Sequence, residues 1–337
     1  MPLSHLPVWK VTPVQLCDTY GRVIDYIRIS ITDRCSLRCM YCTPTNSASP
    51  YDSAEVMTFE EILRFVRAAS ELGVKKIRIT GGEPLMRRGL PGLITEIKAI
   101  GGIFDLSLTT NGIMLPEYAQ KLASAGLNRV NISLDSLLPQ RYAQITGGGN
   151  LKKVTDGIQA AKDAALTPIK LNMVPMRGIN DDEIESFARM TLTQDIHVRF
   201  IELMPTAVIG RQYKEMLINS SEIHQRLQQI SPLYPVKIRL NGPARYYRFE
   251  SAAGVIGIIS AITCHFCQDC NRMRLTAIGK LKPCLFSNKL IDLKPYLTDD
   301  SSIEQLKELI RTATELKPRG HNITATDSTL AMSQIGG

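Results

Sequence analysis

Tyr26-Ile27-Arg28-Ile29-Ser30-Ile31-Thr32 leads through Asp33 and Arg34 into Cys35-Ser36-Leu37-Arg38-Cys39-Met40-Tyr41-Cys42. The first seven residues alternate as a strand does, sending neighbouring side chains to opposite faces. Arg28 and Ser30 share one face against Ile29 and Ile31, and Lys76, Arg78 and Thr80 repeat the pattern against Ile77 and Ile79. Strands inside a packed α/β barrel are apolar on both faces, so cations on one face imply an open interior that holds something anionic. A solvated antiparallel sheet face would alternate in the same way, but it would not be interleaved with helices.

Helices are indeed interleaved. Candidate strands Tyr26 to Thr32, Lys75 to Thr80, Phe104 to Thr109, Arg129 to Leu134, Ile169 to Val174 and His197 to Met204 alternate with helical segments. Those segments include Phe59 to Leu72, Leu115 to Ala125, Lys153 to Ala164 and Asp182 to Thr191. Thr58 and Glu61 form a capping-box pattern, and Gly73 and Gly126 stand where helix C-caps belong. Six strand-helix units predict an α/β fold with a parallel, incomplete (βα)6 barrel. Past Gln229 the pattern changes to prolines, short strands at Ala244 to Glu250 and Gly254 to Ser260, and more cysteines. The expected domains are therefore 1–229 and a smaller 230–337.

Of the 337 residues, 44% are hydrophobic and 21% charged, which excludes a disordered chain and a membrane-embedded one. No basic segment followed by an apolar run opens the sequence, and Gly254 to Ile262 is too short to span a bilayer, so a cytoplasmic protein without membrane attachment is expected. The net charge of +8 comes from scattered lysines and arginines with no dense tract. That pattern argues against nucleic acid and for a phosphate-bearing small substrate. Eight cysteines in such a compartment are not a disulfide framework. Six of them fall into two trios, and Cys17 reads as an ordinary thiol.

Cys35, Cys39 and Cys42 are three ligands without a fourth nearby. Three thiolates can hold three irons of a cubane cluster and leave the fourth iron open to a small molecule. Structural zinc ordinarily takes four ligands and is disfavoured here. Tyr41 can shield the cluster edge or simply pack. The second trio is Cys267, Cys270 and Cys284; with Cys264 and His265 just ahead of it, zinc and iron-sulfur are equally compatible on residues alone. Arg272 and Arg274 stand beside it, and arginine forks suit phosphate and purine acceptors. Gly81-Gly82-Glu83-Pro84 follows the second strand, where paired glycines allow close backbone approach and Glu83 can accept from an ammonium group.

The cysteine run, ending in an aromatic and a cysteine, resembles that of the radical S-adenosylmethionine (SAM) superfamily. The resemblance implies that the open iron binds the amino and carboxylate groups of SAM, and that one electron cleaves SAM to a 5'-deoxyadenosyl radical. Further matches are Thr32-Asp33-Arg34-Cys35, Ile77 through Arg88, Thr109-Thr110-Asn111-Gly112, Cys267 through Arg274 and the Gly336-Gly337 tail. Within the superfamily these resemble the nucleotide-cyclising enzymes that open molybdenum cofactor biosynthesis. That resemblance implies a radical-SAM barrel, two 4Fe-4S clusters and SAM, with GTP as substrate. Hydrogen would leave ribose C3', and the carbon radical would attack purine C8.

By the same resemblance, Cys35, Cys39, Cys42 and Cys267, Cys270, Cys284 ligate the clusters. Tyr41, Gly82, Glu83, Ser133 and Met204 would meet SAM. Arg28, Lys76, Arg78, Thr109, Lys170, Arg199, Arg272, Met273 and Arg274 would meet GTP, with Arg28, Gly336 and Gly337 serving catalysis. Implied partners are an electron donor, a downstream cyclic pyranopterin monophosphate synthase and a second copy of the chain. Thr43, where the family commonly has Met, the Asn46 to Val56 loop, and Cys264-His265 depart from the pattern. The competing readings are a two-cluster radical SAM enzyme acting on a peptide and a non-catalytic zinc protein that binds nucleic acid.

Overall fold

The computed structural model describes residues 15–42, 51–206, 208–238, 242–321 and 331–336. Strands β1 (Tyr26–Ser30), β2 (Lys76–Thr80), β3 (Asp105–Thr110), β4 (Arg129–Ser133), β5 (Lys170–Met173) and β6 (His197–Ile201) lie side by side in chain order. All five pairings are parallel, which removes the antiparallel alternative. Helices α1 (Phe59–Glu71), α2 (Leu90–Ala99), α3 (Leu115–Ser124), α4 (Pro139–Thr146), α5 (Leu151–Asp163) and α6 (Ile184–Thr193) make the crossovers. The expected capping box is present: Glu61 N donates to Thr58 Oγ1 and Thr58 N to the Glu61 carboxylate. Gly73 and Gly126 take the positive φ that ends a helix.

The helices α7 (Tyr213–Met216) and α8 (Ser220–Gln228) precede β7 (Leu233–Pro235), β8 (Arg245–Phe249) and β9 (Val255–Ile259). Then come β10 (Arg272–Leu275), β11 (Lys280–Lys282), β12 (Ile291–Asp292) and α9 (Ile303–Glu315). These C-terminal strands join the same sheet from both sides. β9 runs parallel to β6 and β10 parallel to β1, while β8 and β11 pair antiparallel outside them. The order is β12-β11-β10-β1-β2-β3-β4-β5-β6-β9-β8-β7. Eight consecutive parallel strands are enough to close a barrel, yet β9 and β10 do not pair, and the barrel keeps a seam.

One apolar cluster lies between sheet and helices, with Ile27, Ile29, Ile77, Ile79, Leu106, Val130, Leu171, Val198 and Ile256 fully buried. Burial of a side chain of this kind contributes about 1.5–3 kcal/mol, so the outward face supplies the stability. The inward face is left free to be polar. No helix among the described residues is long and apolar enough to cross a membrane.

Candidate active site

Register aligns the inward residues. Arg28 stands opposite Arg274 on one side and Arg78 on the other; Lys170 faces His197, and Asn172 faces Arg199. Arg129, Lys170, Arg199 and Arg274 are each less than a tenth exposed. Asp105 pairs with Arg129, and Lys76 with Asp25 at 3.1 Å. Burial pulls Arg28 well below its ordinary value, with Arg274 adding to the effect; Lys170 falls to about 6, by burial and then by Arg199. The Nε atoms of Arg28, Arg129 and Arg199, Thr109 Oγ1 and Asn172 Oδ1 are buried without a protein partner. Such atoms cost free energy unless a ligand satisfies them.

Above this floor, the loops at the C-terminal strand ends enclose a cavity of about 270 Å3. Its walls carry all six trio cysteines together with Arg28, Tyr41, Arg78, Gly82, Glu83, Thr109, Ser133, Arg199, Met204, Arg272 and Arg274. Residues separated by up to about 250 positions thus meet because β10 lies beside β1. Among the described residues no three His, Cys, Asp or Glu side chains converge on a single-ion site.

The first cysteine loop is held by backbone. Gly82 N donates to Thr32 O and Glu83 N to Arg34 O, both at 2.7 Å. A Cβ on Gly82 would stand 2.6 Å from Asp33 O and closer still to Arg34 O. The glycine pair therefore admits the cysteine loop itself. Glu83, 1% exposed, accepts from Leu85 N (3.0 Å), Thr110 Oγ1 (2.8 Å) and Asn111 N (2.7 Å), while burial raises its carboxyl to about 7. Tyr41 donates to Asp135 Oδ2 at 2.6 Å, and Val174 N donates to Asp135 Oδ1 at 2.8 Å. Burial lifts Asp135 to about 6.

The second cysteine loop is held by cations. Arg22 is fixed by Asp18 at 2.5 Å and donates to the carbonyls of Cys267 (2.6 Å), Pro318 (2.7 Å) and Arg319 (3.1 Å). Lys317 Nζ donates to Arg272 O (2.7 Å) and Pro283 O (2.9 Å). Burial pushes the Cys270 thiol up, but Arg272 and Lys317 outweigh it and bring it down to about 7. Glu202, fully buried, accepts from Ser220 N, Ile262 N and Thr263 N and so ties this loop to the end of β6.

Some expected residues lie elsewhere. The Met273 side chain points away from the cavity: it sits between two inward arginines, so the strand period turns it outward, 1% exposed in the core, where Thr314 Oγ1 donates to its sulfur at 3.5 Å. Lys76 and Lys170 lie on the inward face below the cavity wall. Gly336 packs beside Ser30 and Thr80, and Arg274 Nη1 donates to its carbonyl at 3.0 Å. Gly337, Thr43 and residues 46–50 lie outside the described residues. Cys264 is exposed and absent from the cavity wall, whereas His265 lines it. Asp135, Asn111, Asn172 and Lys317 line the cavity without having been expected. Of these, Asn111 directly follows the end of β3, which bears Thr109, and Asp135 stands two residues past Ser133 at the end of β4, so both carried a signal.

A radical SAM superfamily model matches residues 29–191, and a molybdenum cofactor synthesis C model matches residues 196–323. A GTP 3',8-cyclase of Pelotomaculum thermopropionicum is 47% identical over 323 residues, covering 95% of this chain and 99% of its own. One from Thermodesulfovibrio yellowstonii is 46% identical over 324 residues, again 95% and 99%. Among solved structures, Streptococcus suis SuiB bound to S-adenosylmethionine aligns over 90% of this chain and 78% of its own, with TM-score 0.58 at 13% identity. The structure of anSMEcpe with bound AdoMet and Kp18Cys peptide aligns over 86% and 84%, with TM-score 0.55 at 14% identity. At such identities these structures show the fold alone. Near-full-length identity to the cyclases, two matched models and two cysteine trios in one cavity agree: the chain belongs to the GTP 3',8-cyclase family of the radical SAM superfamily.

Proposed function

We propose that this enzyme converts GTP to (8S)-3',8-cyclo-7,8-dihydroguanosine 5'-triphosphate, the first step of molybdenum cofactor biosynthesis. The observation that carries the proposal is the single cavity shared by both cysteine trios, above a floor of buried cations with unsatisfied donors. The residues present fit the groups that the family requires, two 4Fe-4S clusters and SAM. Each trio would leave one iron of a cubane cluster without a protein ligand, and each lies beside polar groups that can receive a small molecule. When bound, the first cluster and SAM supply the one-electron chemistry that removes a hydrogen atom from substrate carbon.

The protein's own part is positioning. Cys35, Cys39 and Cys42 hold the first cluster, with Tyr41, Gly82, Glu83, Ser133 and Met204 around SAM. Cys267, Cys270 and Cys284 would hold the second cluster, beside the polar groups that receive the nucleotide. Arg272 and Arg274 orient the nucleotide beside it. Arg28, Lys76, Arg78, Thr109, Lys170 and Arg199 receive the polar and phosphate groups of GTP, where each charge-assisted bond contributes about 1.5–3 kcal/mol. With the nucleotide held by these side chains, ring closure between its C3' and C8 is intramolecular. Gly336 packs beside Ser30 and Thr80, and the Gly336-Gly337 tail serves catalysis. We further propose a cytoplasmic homodimer served by an electron donor, passing its product to a cyclic pyranopterin monophosphate synthase.

Anaerobic cluster reconstitution, followed by SAM, a reductant and each nucleotide in turn, tests this. The expected result is 5'-deoxyadenosine formed in step with GTP consumption, other nucleotides being poor. Cleavage of SAM with GTP untouched would overturn the cyclase reading.

A further inference from the structure

The seam between β9 and β10 is a second cavity. It measures about 810 Å3, three times the inner one, and opens beside Tyr20, Val23, Arg245 and Cys264, all exposed. Five residues line both cavities: Pro243, His265, Phe266, Cys270 and Arg272. The Arg272 guanidinium lies 4.8 Å over the Phe266 ring, so two of these shared residues form a stacked pair where slot and inner cavity meet. At the strand ends, the cysteine loop is bonded down on Gly82 and Glu83, and the described part of the tail packs nearby with Ile335 1% exposed and Met332 on the cavity wall.

Pockets for one small ligand usually span about 300–1,000 Å3. The inner cavity, at about 270 Å3, falls below that range with the stacked pair where it stands. If the substrate is GTP, as proposed above, it must therefore reach the buried cations by a route that enlarges this space. We infer that the nucleotide enters and leaves through the β9–β10 seam, and that Phe266, swinging off Arg272, is the gate. Opening the pair frees the Arg272 guanidinium for the incoming anion and joins the two volumes. Phe266 acts here as a gating residue and touches no reacting atom.

The test uses the reconstituted holoenzyme in a Cys17→Ser background, with Cys264 alkylated after cluster assembly by a small or a bulky maleimide. Association and dissociation of radiolabelled GTP are followed by rapid filtration. The bulky adduct should slow both rates by the same factor, at least about tenfold, leaving Kd unchanged, while the small adduct does little. SAM binding rates should stay as in the unmodified enzyme. Phe266→Ala should speed both GTP rates. A second block, Val23→Trp, places the bulk on the other wall of the seam and should reproduce the slowing. GTP rates unaffected by either block, or slowed SAM binding instead, would overturn the seam route and leave the cyclase reading standing. Failure of the unmodified enzyme to bind GTP would overturn both.

Discussion

Lys170 shows how much one side chain depends on its surroundings. It is 3% exposed on β5, its ammonium lies 5.8 Å over the Tyr246 ring, and burial with Arg199, Arg129 and Arg78 nearby brings it to about 6. Without ligand it is therefore mostly neutral at pH 7 to 8. A bound triphosphate supplies the missing counter-charge and raises its affinity for a proton. Above pH ~6, binding takes up one proton, so affinity falls as pH rises, approaching a tenfold loss per unit until the ligand-bound pKa is passed. Calorimetry of GTP binding in buffers of different ionisation enthalpy should show this uptake. Lys170→Met should abolish it and weaken binding about tenfold or more near pH 7. Unchanged uptake in the variant would assign the proton elsewhere. Met273 teaches the converse: a residue inside a matching motif is placed by the strand period, and its neighbours' role does not extend to its side chain.

At the scale of elements, the turn after β2 and the first cysteine loop are one unit. Gly82 is required because Arg34 O and Asp33 O occupy the space a Cβ would take. Gly82→Ala should cost about 1–3 kcal/mol by overpacking, lower Tm, and halve iron incorporation by preventing assembly of the first cluster while the second still forms. Gly101→Ala, at a site with nothing within 4 Å, should change neither quantity. Full iron content in the Gly82 variant would show that the loop can give way. The same unit explains why Glu83 is buried: its carboxylate fixes the Thr110-Asn111 turn at the end of β3. Such a bond could not be read from sequence, because it joins residues on different strand ends.

At the scale of the molecule, the tail closes on the barrel it follows. Gly336 has φ +76°, and a Cβ there would stand 2.6 Å from Thr80 Cγ2. A β-branched residue at this site meets both penalties. Gly336→Val, or deletion of the last two residues, should leave both clusters and the binding of SAM and GTP intact but slow cyclisation on the order of 100-fold, as misplacement of reacting groups does. Wild-type product formation by the truncated chain would show the tail to be idle. The sequence by itself determined the parallel strand-helix order, the inward basic stripe and the two cysteine trios, since side-chain periodicity and ligand spacing are local properties. It also carried the family, through motifs that are contiguous. Only the tertiary structure decided that β9 and β10 would flank β6 and β1, leaving a seam, and that Asp135, Glu202, Arg22 and Lys317 would brace the two loops. The physical reason is that strand order and buried hydrogen bonds join residues up to about 300 positions apart, and no local pattern encodes which partner closes a barrel or satisfies a buried charge.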